Sequence, residues 1–355
     1  MKKIVTILGT RPEIIKMSPI VEDLDRFFKQ YLIFSGQHYD TNLVDNIFKD
    51  LELRKPDYWI KVTKKLKFIE IQLKIYEILK KLKPSAVIYH GDTLTTLACS
   101  LVCRFFFPQI KRIHIEGGYR SGDKNQSEEI IRFISDHISN LNFVSRDIEK
   151  KNIIKEYRSN DIYIVGNSIN EAVLRILKKN INNFLSLYKI KKNNYIYCTI
   201  HRQENVDDDE RFFNILKILK YISNSYKVIF PIHPRTKKKI KEKKIKLTKN
   251  IILIKPVSYS HSINLILNSY FCFSDSGGIQ EECVILKKKC LVPSDYTPHN
   301  YYIDPNSNWL LKVNSKDKIN VVNSFIESIR RKRFKKYTHV KKTSILIRKE
   351  LSKNL

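Results

Sequence analysis

The chain has 355 residues, of which 42% are hydrophobic, so it can form two globular domains and is not a disordered protein. Its formal net charge of +30 at first suggests a negatively charged partner, such as nucleic acid or a membrane surface. However, the lysines are scattered or lie in short runs such as Lys237-Lys-Lys239, and no nucleic-acid-binding motif is present. The longest apolar stretch, residues 97–107, is interrupted by Arg104 and is too short to cross a bilayer. We therefore predict no nucleic-acid partner and no membrane insertion.

The cysteine pattern predicts a reduced protein without a structural metal. The six cysteines form no Cys-x-x-Cys pair, and most of them lie in apolar segments. They are Cys99, Cys103, Cys198, Cys272, Cys283 and Cys290. The first residues pass directly into an apolar strand pattern without a signal segment. We therefore expect a cytoplasmic location and no bound metal.

The first half of the chain alternates between strand and helix patterns. Strands are predicted at residues 3–8, 31–34, 86–90, 112–115, 142–144 and 162–165. Helices are predicted at residues 11–28, 41–48, 68–82, 93–106 and 128–138. Apolar strands separated by helices are typical of a parallel sheet that is covered on both faces. We therefore predict a doubly wound α/β domain over residues 1–168.

A second alternation begins after a polar segment at residues 169–194, which is rich in lysine and asparagine and which we interpret as a linker. Strands are predicted at residues 195–199, 227–230, 251–254 and 270–273, and helices at 211–223, 234–244, 262–267 and 279–286. We therefore predict a second domain of the same plan over residues 195–330. Because ligands bind at the carboxyl ends of parallel strands, the active site is expected in a cleft between the two domains.

The stretch Ser274-Asp-Ser-Gly-Gly-Ile-Gln-Glu-Glu282 has the pattern of a phosphate site. A strand ends at its start, two glycines follow, and a helix is predicted from Ile279. The first N–H groups of a helix have no partner within the helix, the helix dipole is positive there, and glycine lets a phosphate approach the backbone. Glu282 falls one turn along the same helix, where a carboxylate can accept from ribose hydroxyls. The alternative is an ordinary serine-capped helix.

Polar residues follow the strands predicted in the first half. They are Arg11, Glu13, Lys16, Gln37, His38, Asp40, His90, Asp92, His114 and Glu116. Glu116 stands between an apolar strand and a Gly-Gly turn, where no helix start needs it, so we predict a functional role. Asp92, followed by Thr93, also fits a helix cap. Glu128 opens a helix, where an acid favours the helix dipole or carries a proton-transfer group, and Arg132 either orients Glu128 or simply pairs with it.

Two histidines follow consecutive strands in the second half of the chain. His201 precedes Arg202, and His233 is followed two residues later by Arg235. This grouping predicts contacts with phosphate groups and therefore a substrate that carries a diphosphate. No Gly-x-Gly-x-x-Gly motif and no Walker motif follow any predicted strand, so a nicotinamide cofactor is disfavoured.

Several short motifs occur in order along the chain. They are Gly9-Thr-Arg-Pro-Glu13, Gly36-Gln-His38, His90-Gly-Asp92, Ile115-Glu-Gly-Gly118, Glu128-Glu-x-x-Arg132, Val165-Gly-Asn167, His201-Arg-x-Glu-Asn205, His233-Pro-Arg235 and the stretch from Ser274 to Glu282. Together they resemble the non-hydrolysing UDP-N-acetylglucosamine 2-epimerases over nearly the whole chain. The resemblance implies an α/β protein of the GT-B fold, with two Rossmann-like doubly wound domains and a cleft between them. It also implies a helix within residues 331–355 that packs back on the first domain, and a homodimer.

The activity implied by the resemblance is the interconversion of UDP-GlcNAc and UDP-ManNAc for surface polysaccharide precursors, without a metal or a cofactor. The family is thought to eliminate UDP and hold 2-acetamidoglucal. UDP adds back after reprotonation from the other face. This chemistry needs carboxylates on both sides of the sugar ring and cations for the departing diphosphate.

The motif match assigns roles to individual residues. The expected catalytic residues are Asp92, Glu116, Glu128 and His201. The expected substrate-binding residues are Arg11, Lys16, Gln37, His233, Ser276, Gly277, Gly278 and Glu282. Within these sets, the carboxylates handle protons, Arg11, Lys16 and His201 hold the diphosphate or its leaving charge, and Glu282 binds the ribose.

The sequence departs from the family pattern at residues 61–67, 257–262 and 294–301, where His299 replaces a nucleotide-side arginine. These departures keep alternatives open. The substrate could be a related UDP-sugar such as UDP-2,3-diacetamido-glucuronate. The chain could also be a GT-B glycosyltransferase or a non-catalytic nucleotide-sugar binder. A hydrolysing epimerase is disfavoured by the Gly9-Thr-Arg-Pro-Glu13 motif.

Overall fold

Two units, each built on its own parallel sheet, make up the chain. The structure is a computed structural model that describes residues 1–36, 41–63, 66–122, 126–156, 161–178, 184–297, 300–331, 333–335, 337 and 342–355. Residue contacts assign Met1–Leu174 and His339–Leu355 to the first unit and Arg175–Thr338 to the second. None of the helices in the described residues combines the length and the apolar character needed to cross a membrane.

The first unit contains a seven-stranded sheet. Its strands are β1 Lys3–Leu8, β2 Lys29–Phe34, β3 Tyr58–Trp59, β4 Ala86–His90, β5 Lys111–Ile115, β6 Leu141–Val144 and β7 Asp161–Ile164. They lie in the order β3-β2-β1-β4-β5-β6-β7, and their paired neighbours are parallel. The helices of this part of the chain are α1 Arg11–Asp25, α2 Thr41–Asp50, α3 Lys67–Leu82, α4 Leu94–Phe106, α5 Ser127–Ile138, α6 Asp147–Glu156 and α7 Ile169–Lys178. Apolar side chains of β1, β4, α3 and α4 pack together into one core on a face of the sheet.

The second unit contains a six-stranded sheet of the same kind. Its strands are β8 Tyr195–Thr199, β9 Lys227–Pro231, β10 Ile251–Ile254, β11 Phe271–Ser274, β12 Cys290–Val292 and β13 Trp309–Leu310, in the order β10-β9-β8-β11-β12-β13. Its helices are α8 Phe184–Leu187, α9 Gln203–Val206, α10 Asp209–Ser223, α11 Pro234–Glu242, α12 Tyr259–Asn268, α13 Gly277–Ile285 and α14 Lys318–Arg330. Side chains of α10 and α14 pack on the strands to form the core.

Each sheet has one point at which the strand order reverses direction. In the first unit it lies between β1 and β4, and in the second unit between β8 and β11. The loops that leave two such neighbouring strands run to opposite faces of the sheet and open a crevice at its carboxyl edge. Residues from distant parts of the sequence therefore meet at these two points.

The predicted alternation of strands and helices is confirmed, and with it the α/β class with two Rossmann-like units. The sequence did not predict the elements β3, α6, α8, α9, β12, β13 and α14. Most of them are short or polar, whereas α14 is a 13-residue helix with a buried apolar face. The division between the units falls within α7, inside the segment that the sequence suggested as a linker.

The last helix, α15 Thr343–Asn354, lies within residues 331–355, where the family resemblance implied a C-terminal helix. It belongs to the first unit and packs on α1, where Arg348 Nε donates to Asp23 Oδ2 at 2.8 Å. At its start, the Ser344 N–H and hydroxyl both donate to the Glu171 carboxylate at 2.7 Å. An ion pair and a helix-start contact therefore fix α15 within the first unit.

Candidate active site

The start of α1 is organised by Glu13 at the switch point of the first unit. Glu13 Oε2 accepts from the N–H groups of Gly9 at 2.8 Å and Thr10 at 2.6 Å, and Oε1 accepts from Thr93 Oγ1 at 2.9 Å. Burial raises the pKa of the Glu13 carboxyl, although the positive charge of His90 and these hydrogen bonds act in the opposite direction. Glu13 thus joins the turn after β1 to the turn after β4.

Glu116 lies directly after β5 and is contacted by Lys16 and His90. Lys16 Nζ donates to both carboxylate oxygens, at 2.9 and 2.7 Å, and His90 Nε2 lies 3.0 Å from Oε2. Burial alone would raise the pKa of the Glu116 carboxyl, but the charges of Lys16 and His90 outweigh it and hold that pKa well below its ordinary value. The carboxylate is therefore ionised and ready to accept a proton.

The backbone of Glu116 is unusual for a residue with a side chain. Its φ of 66° lies in the left-handed region, which residues other than glycine rarely adopt. The N–H groups of Glu116 and Gly117 both donate to the carbonyl of Phe143, at 3.0 and 3.2 Å. This conformation costs of order 1–3 kcal/mol and is found mainly at functional sites, where it fixes the direction of a side chain.

A recess with room for about one water molecule lies beside Glu116 within the first unit. Its polar lining residues are His90, Glu116, Ser145, Asn167, Ser168 and Thr343.

Asp92 and Glu128 have different surroundings from Glu116. Asp92 forms an ion pair with the guanidinium of the buried Arg132 on α5. The sequence suggested that Arg132 orients Glu128 or pairs with it; the structure corrects this, because the carboxylate that it contacts is Asp92. Glu128 is exposed one turn earlier on the same helix and accepts from Ser127 Oγ at 2.9 Å. The structure therefore brings Lys16, His90 and Glu116 together and separately ties Asp92 to the helix that carries Glu128.

A fully buried histidine–aspartate pair lies behind these residues. His114 Nδ1 is 2.7 Å from Asp136 Oδ1, and His114 Nε2 donates to the Gly91 carbonyl at 2.8 Å. Asp136 Oδ2 accepts from the Gly118 N–H at 3.0 Å and from Arg120 at 2.8 Å. Burial raises the pKa of the Asp136 carboxyl, but His114 and Arg120 outweigh it and lower that pKa below its ordinary value. The pair joins the turn before Asp92 to the turn after Glu116.

The phosphate motif of the second unit forms the start of α13. Ser276 is the N-cap residue, so the helix begins at Gly277 rather than at Ile279, and both glycines belong to its first turn. A methyl group added at Gly278 would lie 3.8 Å from Ser276 Oγ and 4.0 Å from Glu282 Oε1, which are ordinary contacts. The protein itself therefore does not require glycine at 278, whereas a phosphate that approaches the N–H groups does. Glu282 lies next to this turn, as predicted.

His201 is held from the side by a buried aspartate that the sequence did not single out. His201 Nδ1 lies 2.9 Å from Asp275 Oδ1, and Asp275 also accepts from the N–H groups of His201 at 3.0 Å and Arg202 at 2.9 Å. Burial raises the pKa of the Asp275 carboxyl, but the hydrogen bond and charge of His201 and the backbone N–H groups outweigh it and lower that pKa. Only the position of Asp275 at a strand end, between two serines, could have indicated this role.

His233 lies near His201, as the sequence predicted. Their ring centroids are 5.7 Å apart, and His233 is the N-cap of α11, where its Nδ1 accepts from the Arg235 N–H at 3.2 Å. Arg11 is the first residue of α1 and is partly buried. Gln37 and His299 lie outside the described residues.

Comparison with known proteins identifies the family. Residues 22–344 match the family model described as UDP-N-acetylglucosamine 2-epimerase. The chain is 38% identical over 336 residues to the UDP-N-acetylglucosamine 2-epimerase of Methanocaldococcus jannaschii, covering 90% of this chain and 91% of that protein. It is 31% identical over 304 residues to the UDP-2,3-diacetamido-2,3-dideoxy-D-glucuronate 2-epimerase of Pseudomonas aeruginosa, covering 83% and 84%.

A solved structure agrees with these relatives over the whole chain. The Methanocaldococcus jannaschii UDP-GlcNAc 2-epimerase, crystallised in complex with UDP-GlcNAc and UDP, superposes with a TM-score of 0.85 at 35% identity and covers 99% of both chains. The motifs named above, the two Rossmann-like units and these matches lead to one conclusion. The chain belongs to the UDP-N-acetylglucosamine 2-epimerase family.

Proposed function

We propose that this protein is a non-hydrolysing 2-epimerase that interconverts UDP-GlcNAc and UDP-ManNAc. The observation that carries the proposal is the buried, ionised Glu116, which has a strained backbone and is held by Lys16 and His90 beside a small polar recess. A carboxylate in this state carries no proton and can act only as an acceptor, and the energetic cost of the strained backbone points to a function rather than to stability.

The reaction has two halves that run in opposite directions. A carboxylate removes the proton from C2 while the C1–O bond to UDP breaks, and the electron pair of the C2–H bond becomes the C1=C2 double bond of 2-acetamidoglucal. A proton is then added to the other face of C2, and a UDP oxygen forms a new bond to C1. No atom is lost, so the two sugar nucleotides are isomers.

The first unit is assigned to proton transfer at the sugar. Glu116 is the first candidate for the base, and Asp92 and Glu128 are the candidates for protonation from the other face. Lys16 was predicted to hold the diphosphate; its ion pair with Glu116 gives it a further role, because it keeps that carboxylate ionised.

The second unit is assigned to the UDP group. The first turn of α13, with Ser276, Gly277 and Gly278, supplies N–H groups and a positive helix end to the diphosphate. Glu282 is assigned to the ribose and His201 to the charge on the departing phosphate. The family resemblance assigns Arg11 of the first unit to the diphosphate as well. A homodimer, a cytoplasmic location and a role in surface polysaccharide synthesis are parts of the same proposal that follow from the family resemblance and from the reduced cysteines.

The test is incubation of the purified protein with UDP-GlcNAc in heavy water, followed by NMR. We expect UDP-ManNAc to appear and deuterium to enter C2 of both isomers, because the proton is exchanged in every turnover. Free ManNAc would instead identify a hydrolysing enzyme. Absence of both changes would contradict the proposal.

A second substrate is included because of the Pseudomonas aeruginosa relative. UDP-2,3-diacetamido-glucuronate differs from UDP-GlcNAc by an acetamido group at C3 and a carboxylate at C6. A larger kcat/KM for this compound than for UDP-GlcNAc would reassign the substrate and leave the reaction type unchanged.

A further inference from the structure

Asp275 is buried at the end of β11, and its carboxylate is surrounded by donors. It accepts from the N–H groups of His201 and Arg202, from Asn205 Nδ2 at 3.2 Å and from His201 Nδ1. All four of these contacts come from the segment that follows β8, and the carboxylate therefore fixes both the backbone and the ring of His201. A loop residue held by so many contacts has little freedom to change its direction.

The contact with Nδ1 also decides which ring nitrogen meets a ligand. A carboxylate accepts hydrogen bonds, and its lowered pKa keeps it ionised, so Nδ1 must carry a proton. A ligand would then be bound through Nε2. The His201 side chain keeps 38% of its surface exposed, so the ring is accessible to a ligand, whereas Asp275 is not.

Asp275 is also adjacent in the chain to the phosphate turn. Ser276, the next residue, occupies the N-cap position of α13, so the strand end that carries the Asp275 carboxylate also sets the position of the first turn of α13. The same strand end therefore positions both His201 and the N–H groups that would bind a phosphate.

We propose that Asp275 is a positioning residue, which holds His201 with Nδ1 protonated and Nε2 directed to the diphosphate bound at the start of α13. This inference rests on the proposed function, because it gives His201 a diphosphate to act on. It goes beyond that function by assigning a role to a residue that does not touch the substrate.

The first test measures the protonation of His201 directly. Histidine is labelled with ¹⁵N, the His201 signals are assigned by comparison with His201→Asn, and long-range ¹H–¹⁵N spectra are recorded without any ligand. We expect Nδ1 of His201 to carry a proton in the wild-type protein. An unprotonated Nδ1 would overturn the proposal. Because this measurement needs no Asp275 variant and no turnover, the result holds even if an Asp275 variant does not fold or the enzyme assay fails.

The second test is a double-mutant cycle with Asp275→Asn, His201→Asn and the double variant. A misplacement of about 1 Å in a catalytic group costs roughly a hundredfold, so we expect each single variant to lower kcat by about that factor with a smaller change in KM. If Asp275 acts through His201, the double variant is no slower than His201→Asn. Losses that multiply would show that Asp275 acts independently, and would overturn the proposal.

A matched control is Asp209→Asn in the same unit. Asp209 is a surface carboxylate paired with Lys239 and Lys243, so its removal should leave kcat unchanged. If the wild-type protein epimerises none of the sugars tested, the proposed function fails. The NMR measurement still shows whether Nδ1 of His201 carries a proton.

Discussion

The two histidine–aspartate pairs of this protein are chemically alike but differ in burial. His114 and Asp136 are fully buried, and both ring nitrogens of His114 are engaged by protein atoms 2.7 and 2.8 Å away. In the second unit Asp275 is equally buried, but His201 keeps 38% of its side chain exposed. Each aspartate has a pKa below its ordinary value, so the charge state of the acid is the same in both pairs.

This difference shows what separates a structural pair from one that serves a ligand. His114 uses Nε2 to hydrogen-bond the Gly91 carbonyl, so both of its ring nitrogens contact protein atoms. The His201 pair uses one nitrogen for positioning and presents an accessible ring. Sequence motifs contain both histidines, and only the partner of the second nitrogen distinguishes their roles.

The largest expected effect is on stability, in the buried pair. Asp136→Asn should lower the free energy of unfolding by about 3–5 kcal/mol, because it leaves His114 and Arg120 buried beside a neutral amide. His201→Asn should cost less, since Asp275 keeps the N–H groups of residues 201 and 202 and Asn205 Nδ2 as donors. Denaturant unfolding at one pH measures both. Equal losses would erase the distinction between the pairs.

The next effect is on turnover, in the carboxylate cluster. Glu116→Gln and Asp92→Asn should each lower kcat at least about a hundredfold, which corresponds to about 2.7 kcal/mol of transition-state stabilisation. The thermal midpoint of each variant should also fall, because the amide leaves the buried Lys16 or Arg132 without its carboxylate partner, so kcat is measured well below that midpoint. Asp147→Asn is the control, since Asp147 is an exposed residue paired with Lys151. Near-wild-type rates in either active-site variant would refute that residue's assignment.

Two glycines allow the same comparison of structure with function at the backbone. Gly278→Ala should raise the Kd for UDP about tenfold with stability retained, because outside its own helix backbone the methyl group meets no atom closer than 3.8 Å, whereas a phosphate at this turn needs close approach to the backbone. Gly117→Ala should instead destabilise the fold, because its methyl group would lie 2.6 Å from Asp136 Oδ1. Calorimetric titration with UDP and thermal unfolding separate the two outcomes. An unchanged affinity of Gly278→Ala for UDP would show that the phosphate does not bind at this turn.

The smallest expected effect is the dependence of stability on pH. Glu116, Asp136 and Asp275 have pKa values below their ordinary 4.5 or 3.8, so below about pH 4.5 the unfolded chain takes up protons first and stability is lost as the pH falls. Glu13 acts with the opposite sign, because its raised pKa makes the folded state bind the extra proton. Between about pH 6 and pH 3, the thermal midpoint of Asp136→Asn should therefore fall less steeply with decreasing pH than that of the wild-type protein. Above pH 4.5, Glu13→Gln should be more stable relative to the wild-type protein than it is at lower pH. An unchanged acid slope in Asp136→Asn would contradict the assignment of the charge to Asp136.

Much of the fold was predictable because its signals are local. The strand at Ala86–His90 and the strand at Tyr195–Thr199 have the predicted bounds. An apolar run followed by a glycine or a polar turn is a pattern that a few consecutive residues are enough to recognise. The short strands at Tyr58–Trp59 and Trp309–Leu310 have no such signal, because two residues show no periodicity. The start of α13 was misplaced because glycine is a poor helix former, and a capped helix start tolerates it.

The sequence by itself determined the alternation of strands and helices, the residues that stand at the strand ends, and the family to which these motifs are similar. The tertiary structure decided which of these residues are partners. Lys16 meets Glu116 across 100 residues, and Asp275 meets His201 across 74. Such pairs depend on strand order and on register in the sheet, which local propensity does not encode. The partners of a side chain determine its charge and its exposure to solvent. These two properties distinguish His114, which stabilises the fold, from His201, which is available to a substrate.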